Sequence, residues 1–421
     1  MGVCWIKSVF KRQEIFENGH ANIAHSEGDG KQGIGLKKLI VGLGETGQSI
    51  LRFYQDLAQE VCTYDTRNPT PIFWDEIDTL IVSPGVPLDT QVLVEARKRH
   101  LSIIGDIELF YRQAKAPIIA ITGTNAKSTV TTLVTDMINA TGKIALMGGN
   151  IGVPALDLLK SPTPDYYVLE LSSFQLDLVD TFKADVGIIL NISPDHLDRH
   201  GSLEAYRKAK ERIYLGCAHP IHNQGTGELP FPVTELSQGL AGNHNLENAR
   251  NALAITAPLG LPLAPQLQVL KTFKGLPHRC ILVREYQGVE WYNDSKGTNV
   301  GATLAAIEGV GAKIAGKVIL LLGGVAKEQD FKPLRQAIER YVRQVILYGQ
   351  DRERIAEDLQ GLPCEVLGQD FSEVLEQAKN HAESGDAVLL SPASASFDMF
   401  KNFEDRGEQF TQKVLAFNKT E

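Results

Sequence analysis

Short apolar runs alternate with helix-like stretches along most of the chain, and this alternation restricts the fold more than any single motif. "KKLIVGLG", "LIVSPGVP" and "SIIGD" are separated by stretches such as "QSILRFYQDLAQ". A second series opens at "APIIAITG" and carries "YYVLEL" and "DVGIILNI". A third begins near "GLPHRCILV" and carries "GKVILLLGG", "RQVILYG" and "DAVLLSP". Repeated strand–loop–helix units are the rhythm of parallel sheets covered by helices. A chain of 421 residues also exceeds one core, so an α/β protein of several domains is expected. In such sheets ligands bind at the carboxyl ends of strands, where this sequence puts its polar residues. The rhythm stops between Tyr214 and Gly242, a stretch rich in Gly and Pro that offers no long element,.

Composition excludes some functions. A net charge of −9 argues against a nucleic-acid partner, which would call for a basic face. Cys4, Cys62, Cys217, Cys280 and Cys364 form no CxxC pair, so reduced thiols and a cytoplasmic setting are expected. No apolar run approaches the roughly 20 residues of a membrane span. Residues 1–36 lack the apolar core of a signal peptide and are expected to be a poorly ordered extension.

The second series opens on Gly123-Thr124-Asn125-Ala126-Lys127-Ser128-Thr129, between an apolar strand and "VTTLVTDMINAT". Backbone N–H groups at a helix start, with a lysine, suit phosphate oxygens, and a hydroxyl there can reach Mg²⁺. A Walker loop would carry glycine where this chain has Ile121 and Ala126. A Thr/Ser-capped helix bearing one exposed lysine fits the same residues. If position 126 needs a positive φ, its Cβ costs roughly 1–2 kcal/mol; with helical angles alanine is the best residue available. Its place before the helix-opening lysine favours helical angles.

Other strand ends carry further candidates. "GLGETG" has the spacing of a dinucleotide fingerprint or of a tight strand–helix turn, and Asp65 with the βαβ context favours a nucleotide site without identifying the nucleotide. Glu170 ends an apolar strand, where a carboxylate can meet a cation on the phosphate loop. Asp195, His196 and Asp198 follow the next strand, with a helix cap as the plain alternative. "YRKAKERIY" reads as a solvated basic face. "YNDSKGTN", "LGGVAKEQDF" and "LSPASASFDMFKNF" all follow strands of the third series, and together they suggest one cleft.

Taken in order, these motifs resemble those of the Mur ligases of peptidoglycan synthesis. The resemblance runs from about residue 37 to 418 through "GLGETG", "DTR", "SPG", "GDIELF", "GTNAKSTV", "GGNIG", "LELSSFQL", "DHLDR", "YRKAK", "GNHNLEN", "LPHR", "NDSKGTN", "LGGVAK" and "LSPASASFDMFKNFEDRG". It implies a Rossmann-like UDP-binding domain over 37–115, a P-loop ATPase-like domain over 116–275 and a Rossmann-like amino-acid-binding domain over 276–421. "GDIELF" and "FDMFKNFEDRG" point to the member that adds D-glutamate to UDP-N-acetylmuramoyl-L-alanine through an acyl phosphate, with ATP and Mg²⁺. A cytoplasmic monomer is implied, with neither nucleic acid nor membrane as partner.

The same resemblance assigns residues. Lys127, Glu170, His196 and Lys210 would be catalytic, and Lys210 would be the family's carbamylated lysine, against the solvated-face reading. Ser128, Glu170, His196 and carbamylated Lys210 would hold metal. ATP would meet Gly123, Thr124, Asn125, Lys127, Ser128, Thr129, Asn245, Asn248, Arg279, Asp294 and Lys296. The UDP substrate would meet Glu45, Thr46, Asp65, Thr66, Arg67, Gly85, Asn150 and Gln175. D-glutamate would meet Thr298, Lys327, Ser396, Phe397 and Phe403. Two departures stand out: the family's loop is usually GTNGKST, and its members usually have a longer segment where this chain has 215–241. A dehydrogenase built on "GLGETG" would leave Lys127, Glu170 and Lys210 without roles; a non-catalytic UDP-sugar-binding relic would keep every motif.

Overall fold

The computed structural model describes residues 37–222, 228–240, 243–326 and 329–417. Three sheets follow one another along the chain. The first has the order β2-β1-β3-β4, built from β1 (Lys37–Val41), β2 (Val61–Tyr64), β3 (Ile77–Val82) and β4 (Ser102–Gly105), all parallel. The second has the order β6-β7-β5-β8-β9, from β5 (Ile118–Thr122), β6 (Ala145–Gly149), β7 (Tyr166–Glu170), β8 (Val186–Ile189) and β9 (His219–His222), again parallel. The third has the order β10-β11-β15-β12-β13-β14, from β10 (Ile281–Tyr286), β11 (Val289–Asn293), β12 (Val318–Gly323), β13 (Val342–Tyr348), β14 (Cys364–Val366) and β15 (Ala387–Leu390). Only its β10–β11 pair is antiparallel. The fold is thus three α/β domains, as the alternation predicts.

Five helices position the site: α1 (Glu45–Asp56), α2 (Asp106–Gln113), α3 (Lys127–Ala140), α4 (Val300–Gly311) and α5 (Phe403–Leu415). Helix α3 shows why the alternation was readable. Val130, Leu133, Val134, Met137 and Ile138 recur at helical spacing and are all fully buried. Each such side chain contributes about 1.5–3 kcal/mol of burial. They pack against the helices at 243–256 and 263–272 and against the central sheet.

The described residues of the irregular 214–242 stretch contain more order than its composition suggests. β9 is a four-residue edge strand whose Pro220 is tolerated because an edge leaves N–H positions unpaired,. Leu240 is buried in the core beneath the helix at 263–272, and Leu229, Phe231 and Leu236 pack on that core.

The first and second sheets are joined through "GDIELF". Gly105 N–H donates to Leu178 O (2.9 Å). The fully buried Glu108 carboxylate accepts from the N–H groups of Asp180, Thr181 and Phe182 at 2.8–3.0 Å. It also accepts from the Thr181 hydroxyl and Arg112. Burial alone would raise its pKa, but these donors together hold it below the usual carboxylate range. Glu108 therefore stabilises the fold above the unfolded carboxylate pKa, and that contribution is lost as pH falls through its lower folded value. Glu108→Ala strands three backbone donors, and a loss of about 3 kcal/mol is expected at pH 7, read from denaturant unfolding.

Candidate active site

The phosphate-loop segment lies between β5 and α3, at the carboxyl edge of the central sheet. Ala126 sits at φ 66°, ψ −3°, in the left-handed region. The expectation of helical angles at this position is therefore corrected: the residue before the lysine belongs to the loop's final turn, not to the helix. Relieving the Cβ strain is worth about 1–2 kcal/mol, and the extra unfolded-state freedom of glycine offsets about 0.4–1 of it. Ala126→Gly is thus expected to raise stability by about 0.5–1 kcal/mol, measured by chemical denaturation.

Beneath the loop, charged groups converge. Lys127 Nζ donates to Gly123 O (3.0 Å) and Thr124 O (2.8 Å). Burial lowers its pKa, while Glu170 and Asp195 oppose the shift. Glu170, 2% exposed, accepts from Asn150 Nδ2 (2.8 Å) through Oε1, and its buried Oε2 has no hydrogen-bond partner among the described residues. Lys210 is 1% exposed, which overturns the solvated-face reading of "YRKAK" at this residue. Its Nζ donates to Gly123 O (2.9 Å) and Thr122 Oγ1 (3.3 Å) and lies 4.5 Å from the Tyr206 ring. Burial, and next the nearby Lys127 charge, push its pKa down to about 6.

Among the described residues no three His, Cys, Asp or Glu side chains form a metal-binding group. The donor set instead suits a cation shared between one or two protein oxygens and phosphate, the usual manner of Mg²⁺. The partnerless Glu170 Oε2 fits such a cation. Ser128 Oγ accepts from Arg279 Nη2 (2.6 Å), and His196, at φ 53°, packs its ring against Phe174 (4.9 Å).

A cavity of about 320 Å³ brings the second and third sheets together; Asn125, Thr129, Asn245, Asn248, Arg279, Asp294 and Lys296 line it. Asn248 Nδ2 donates to Asn245 Oδ1 (3.0 Å). Burial raises Asp294 to about 7 despite the Ser391 hydroxyl that donates to it. Burial lowers Lys296 to about 8, its Nζ lying 3.6 Å from the centre of the Phe403 ring. Thr298 follows Lys296 in the loop after β11, Ser396 is buried, and Phe397 is 74% exposed. Lys327 lies outside the described residues.

On the first sheet, Glu45 and Thr46 open α1, where a Cβ on Gly47 would meet Gly42 O at 2.0 Å. Arg67 holds Asp65 by paired hydrogen bonds of 3.1 Å, with Thr66 between them, and Gly85 is exposed. Gln175 lies at the junction of the first and second domains. It is 3% exposed, with Oε1 accepting from Ser172 N–H and Nε2 donating to Asp106 (3.0 Å), so it braces two domains.

Sequence reasoning overlooked Arg199 and Arg406. The Arg199 guanidinium donates to the carbonyls of Pro84, Gly85 and Val86 and stacks on Phe174 at 4.8 Å. It thereby fixes the "SPG" loop of the first domain to the "DHLDR" segment of the second. Arg406, fully buried, donates to Ser295 Oγ, Ser295 O and Ser394 O, tying two loops of the third domain together. Both arginines stood inside quoted motifs, which was the available signal.

Residues 121–222 match the Mur ligase middle domain and residues 278–394 the Mur ligase glutamate ligase domain. The chain is 43% identical to the UDP-N-acetylmuramoylalanine–D-glutamate ligase of Pseudomonas putida, with 89% of this chain and 96% of that protein covered. It is 42% identical to the enzyme of that name from Nitrosococcus oceani, with 90% and 97% covered. Among solved structures, MurC of Thermotoga maritima superposes with a TM-score of 0.56 at 19% identity, covering 90% of this chain and 99% of that one. MurF of the same organism, in complex with ADP, gives 0.59 at 16% identity, covering 90% and 96%. The chain belongs to the Mur ligase family, the ATP-dependent ligases of peptidoglycan synthesis. Within that family it falls among the UDP-N-acetylmuramoylalanine–D-glutamate ligases. The P. putida alignment runs over 436 positions yet takes in 89% of the 421 residues, so that relative carries residues with no counterpart here. No helix among the described residues is long and apolar enough to cross a membrane.

Proposed function

We propose that this chain joins D-glutamate to the alanyl carboxylate of UDP-N-acetylmuramoyl-L-alanine at the expense of ATP, as a cytoplasmic enzyme. The observation that carries the reading is the convergence of Lys127, Glu170 and Lys210 under the phosphate loop, faced by Arg279 and Lys296 from the third domain. The relatives' names supply the substrates.

A carboxylate cannot be attacked by an amine until its oxygen becomes a leaving group. The alanyl carboxylate takes the γ-phosphoryl group and ADP departs; the amine of D-glutamate then attacks the acyl carbon, and phosphate and a proton are released. The demands are alignment and neutralisation of phosphate charge. Lys127 would leave its loop carbonyls for the β/γ-phosphates, with the N–H groups of Gly123 to Thr129 around them. Asn245 and Asn248 would face adenine, and Arg279, Asp294 and Lys296 the rest of ATP. Ser128, Glu170, His196 and carbamylated Lys210 would hold Mg²⁺, which supplies neutralisation of the phosphate charge. Glu45, Thr46, Asp65, Thr66, Arg67 and Gly85 would take UDP, with Asn150 and Gln175 along the substrate path. Thr298, Lys327, Ser396, Phe397 and Phe403 would receive D-glutamate, a lysine pairing with its carboxylate.

Mass spectrometry of a reaction holding ATP, Mg²⁺, UDP-N-acetylmuramoyl-L-alanine and D-glutamate tests this. The expected product is heavier than the substrate by one glutamyl residue. Binding of the UDP substrate without that product would instead indicate the relic.

A further inference from the structure

We propose that Asn299 is a positioning residue through which the loop for the incoming amino acid sets the geometry of the phosphate loop. The inference rests on the ligase reading above. Asn299 ends "NDSKGTN", directly after Thr298, and is 5% exposed. Its Oδ1 accepts from Ala302 N–H (2.9 Å) and so caps α4. Capping needs only that acceptor, and serine or aspartate would serve as well. The Nδ2 group does something else: it crosses to the central domain and donates to Asn125 Oδ1 (3.0 Å) and Asp195 Oδ2 (3.4 Å). Asn125 Nδ2 returns a contact to Asn299 Oδ1 (3.4 Å).

Asn125 is in turn held by its backbone. Its N–H donates to Asn191 Oδ1 (2.8 Å), and Asn191 Nδ2 donates back to its carbonyl (3.2 Å). The side-chain amide of Asn125 is left to read Asn299. A second observation confirms how closely the two domains approach here. A Cβ on Gly301, two residues after Asn299, would lie 3.4 Å from Ser193 Oγ and 3.5 Å from Asn125 Nδ2. A chain of amides, Asn191–Asn125–Asn299, therefore runs from the phosphate loop to the residue beside Thr298, and ends on the carboxylate beside His196. Among the good cap residues, asparagine alone carries a separate N–H donor that reaches across to the central domain while its oxygen accepts the cap bond. Movement of either loop breaks the pair, so the phosphoryl group and the attacking amine are brought into register together.

Asn299→Ser keeps the cap acceptor but cannot span to Asn125; Asn299→Asp keeps it and sets a carboxylate against Asp195. Both variants should keep the wild-type KM for UDP-N-acetylmuramoyl-L-alanine, while the thermal midpoint falls slightly for serine, which loses the cross-domain bonds, and further for aspartate, which faces Asp195,. Each should lower kcat, by about 30-fold for serine, as expected for two neutral hydrogen bonds, and by more for aspartate. D-glutamate should tighten binding of a non-hydrolysable ATP analogue to the wild type, read by calorimetry, and this coupling should vanish in Asn299→Ser. Variants with wild-type kcat and wild-type coupling overturn the inference while leaving the ligase intact. A wild-type protein that forms no D-glutamyl product overturns both.

Discussion

Replacing Lys127 by alanine lowers kcat about 10³-fold, the order found when a preorganised donor to transition-state charge is removed. The KM for the UDP substrate is expected to stay within about twofold, because on the proposed reading that ligand would be held by the first domain and bound equally in ground and transition states. The contrast with a capped helix bearing an ordinary lysine is sharp. Such a residue would be exposed, and its loss would cost little. Here the amine is drawn into its own loop, with its pKa lowered by burial and with Glu170 and Asp195 near enough to resist that shift. Exchange of its two carbonyl partners for phosphate oxygens replaces neutral acceptors by charged ones, which strengthens each bond. Steady-state kinetics with each substrate varied in turn separates the outcomes.

The second large effect concerns Lys210. Carbon dioxide adds only to a free amine, giving a carbamate and a proton. An ordinary lysine at neutral pH offers about one free amine in a thousand. With its pKa pushed down to about 6, Lys210 is mostly free amine at pH 7.5. Lys210 Nζ lies 2.9 Å from Gly123 O and within reach of the Glu170 and Asp195 charges, so a carbamate there would share their surroundings. Lys210→Met, which retains much of the buried volume, should lower kcat by about 10²–10³-fold. Removal of carbon dioxide should depress wild-type turnover, and bicarbonate should restore it; a ¹³C-carbamate resonance should appear in wild type and be absent from the variant. For stability the sign is that of a base with a lowered folded pKa. The unfolded chain binds the additional proton between about pH 6 and 10.5, so the cost of burying Lys210 is greatest at low pH and fades as pH rises.

How much of this was legible depends on what each residue needed from elsewhere. β5 and α3 were readable because an all-apolar run and helical spacing are local signals,. β9 was not, since four residues with a proline gain their stability only from pairing with β8,. The backbone angle at Ala126 was misread for a related reason: propensity favours helix for alanine, but the loop's closing turn overrides it. Glu170 stood out as a carboxylate at a strand end, and its partnerless oxygen needed the fold. Lys210 was misjudged from its basic neighbours, since burial of one face of "YRKAK" is set by packing on the central sheet. Arg199 and Asn299 act across domains and Arg406 between two loops of one domain, linking residues as much as 174 positions apart, and no local pattern encodes such distances.

The central claim is that the cavity between the second and third domains couples ATP to D-glutamate addition. Phosphate release from ATP by the full chain, with UDP-N-acetylmuramoyl-L-alanine and Mg²⁺, measured against D-glutamate, L-glutamate and no amino acid, tests it most directly. Release that is stoichiometric with product and requires the D-isomer is the predicted result. Release indifferent to the amino acid, or none from a folded chain that binds the UDP substrate, would contradict it.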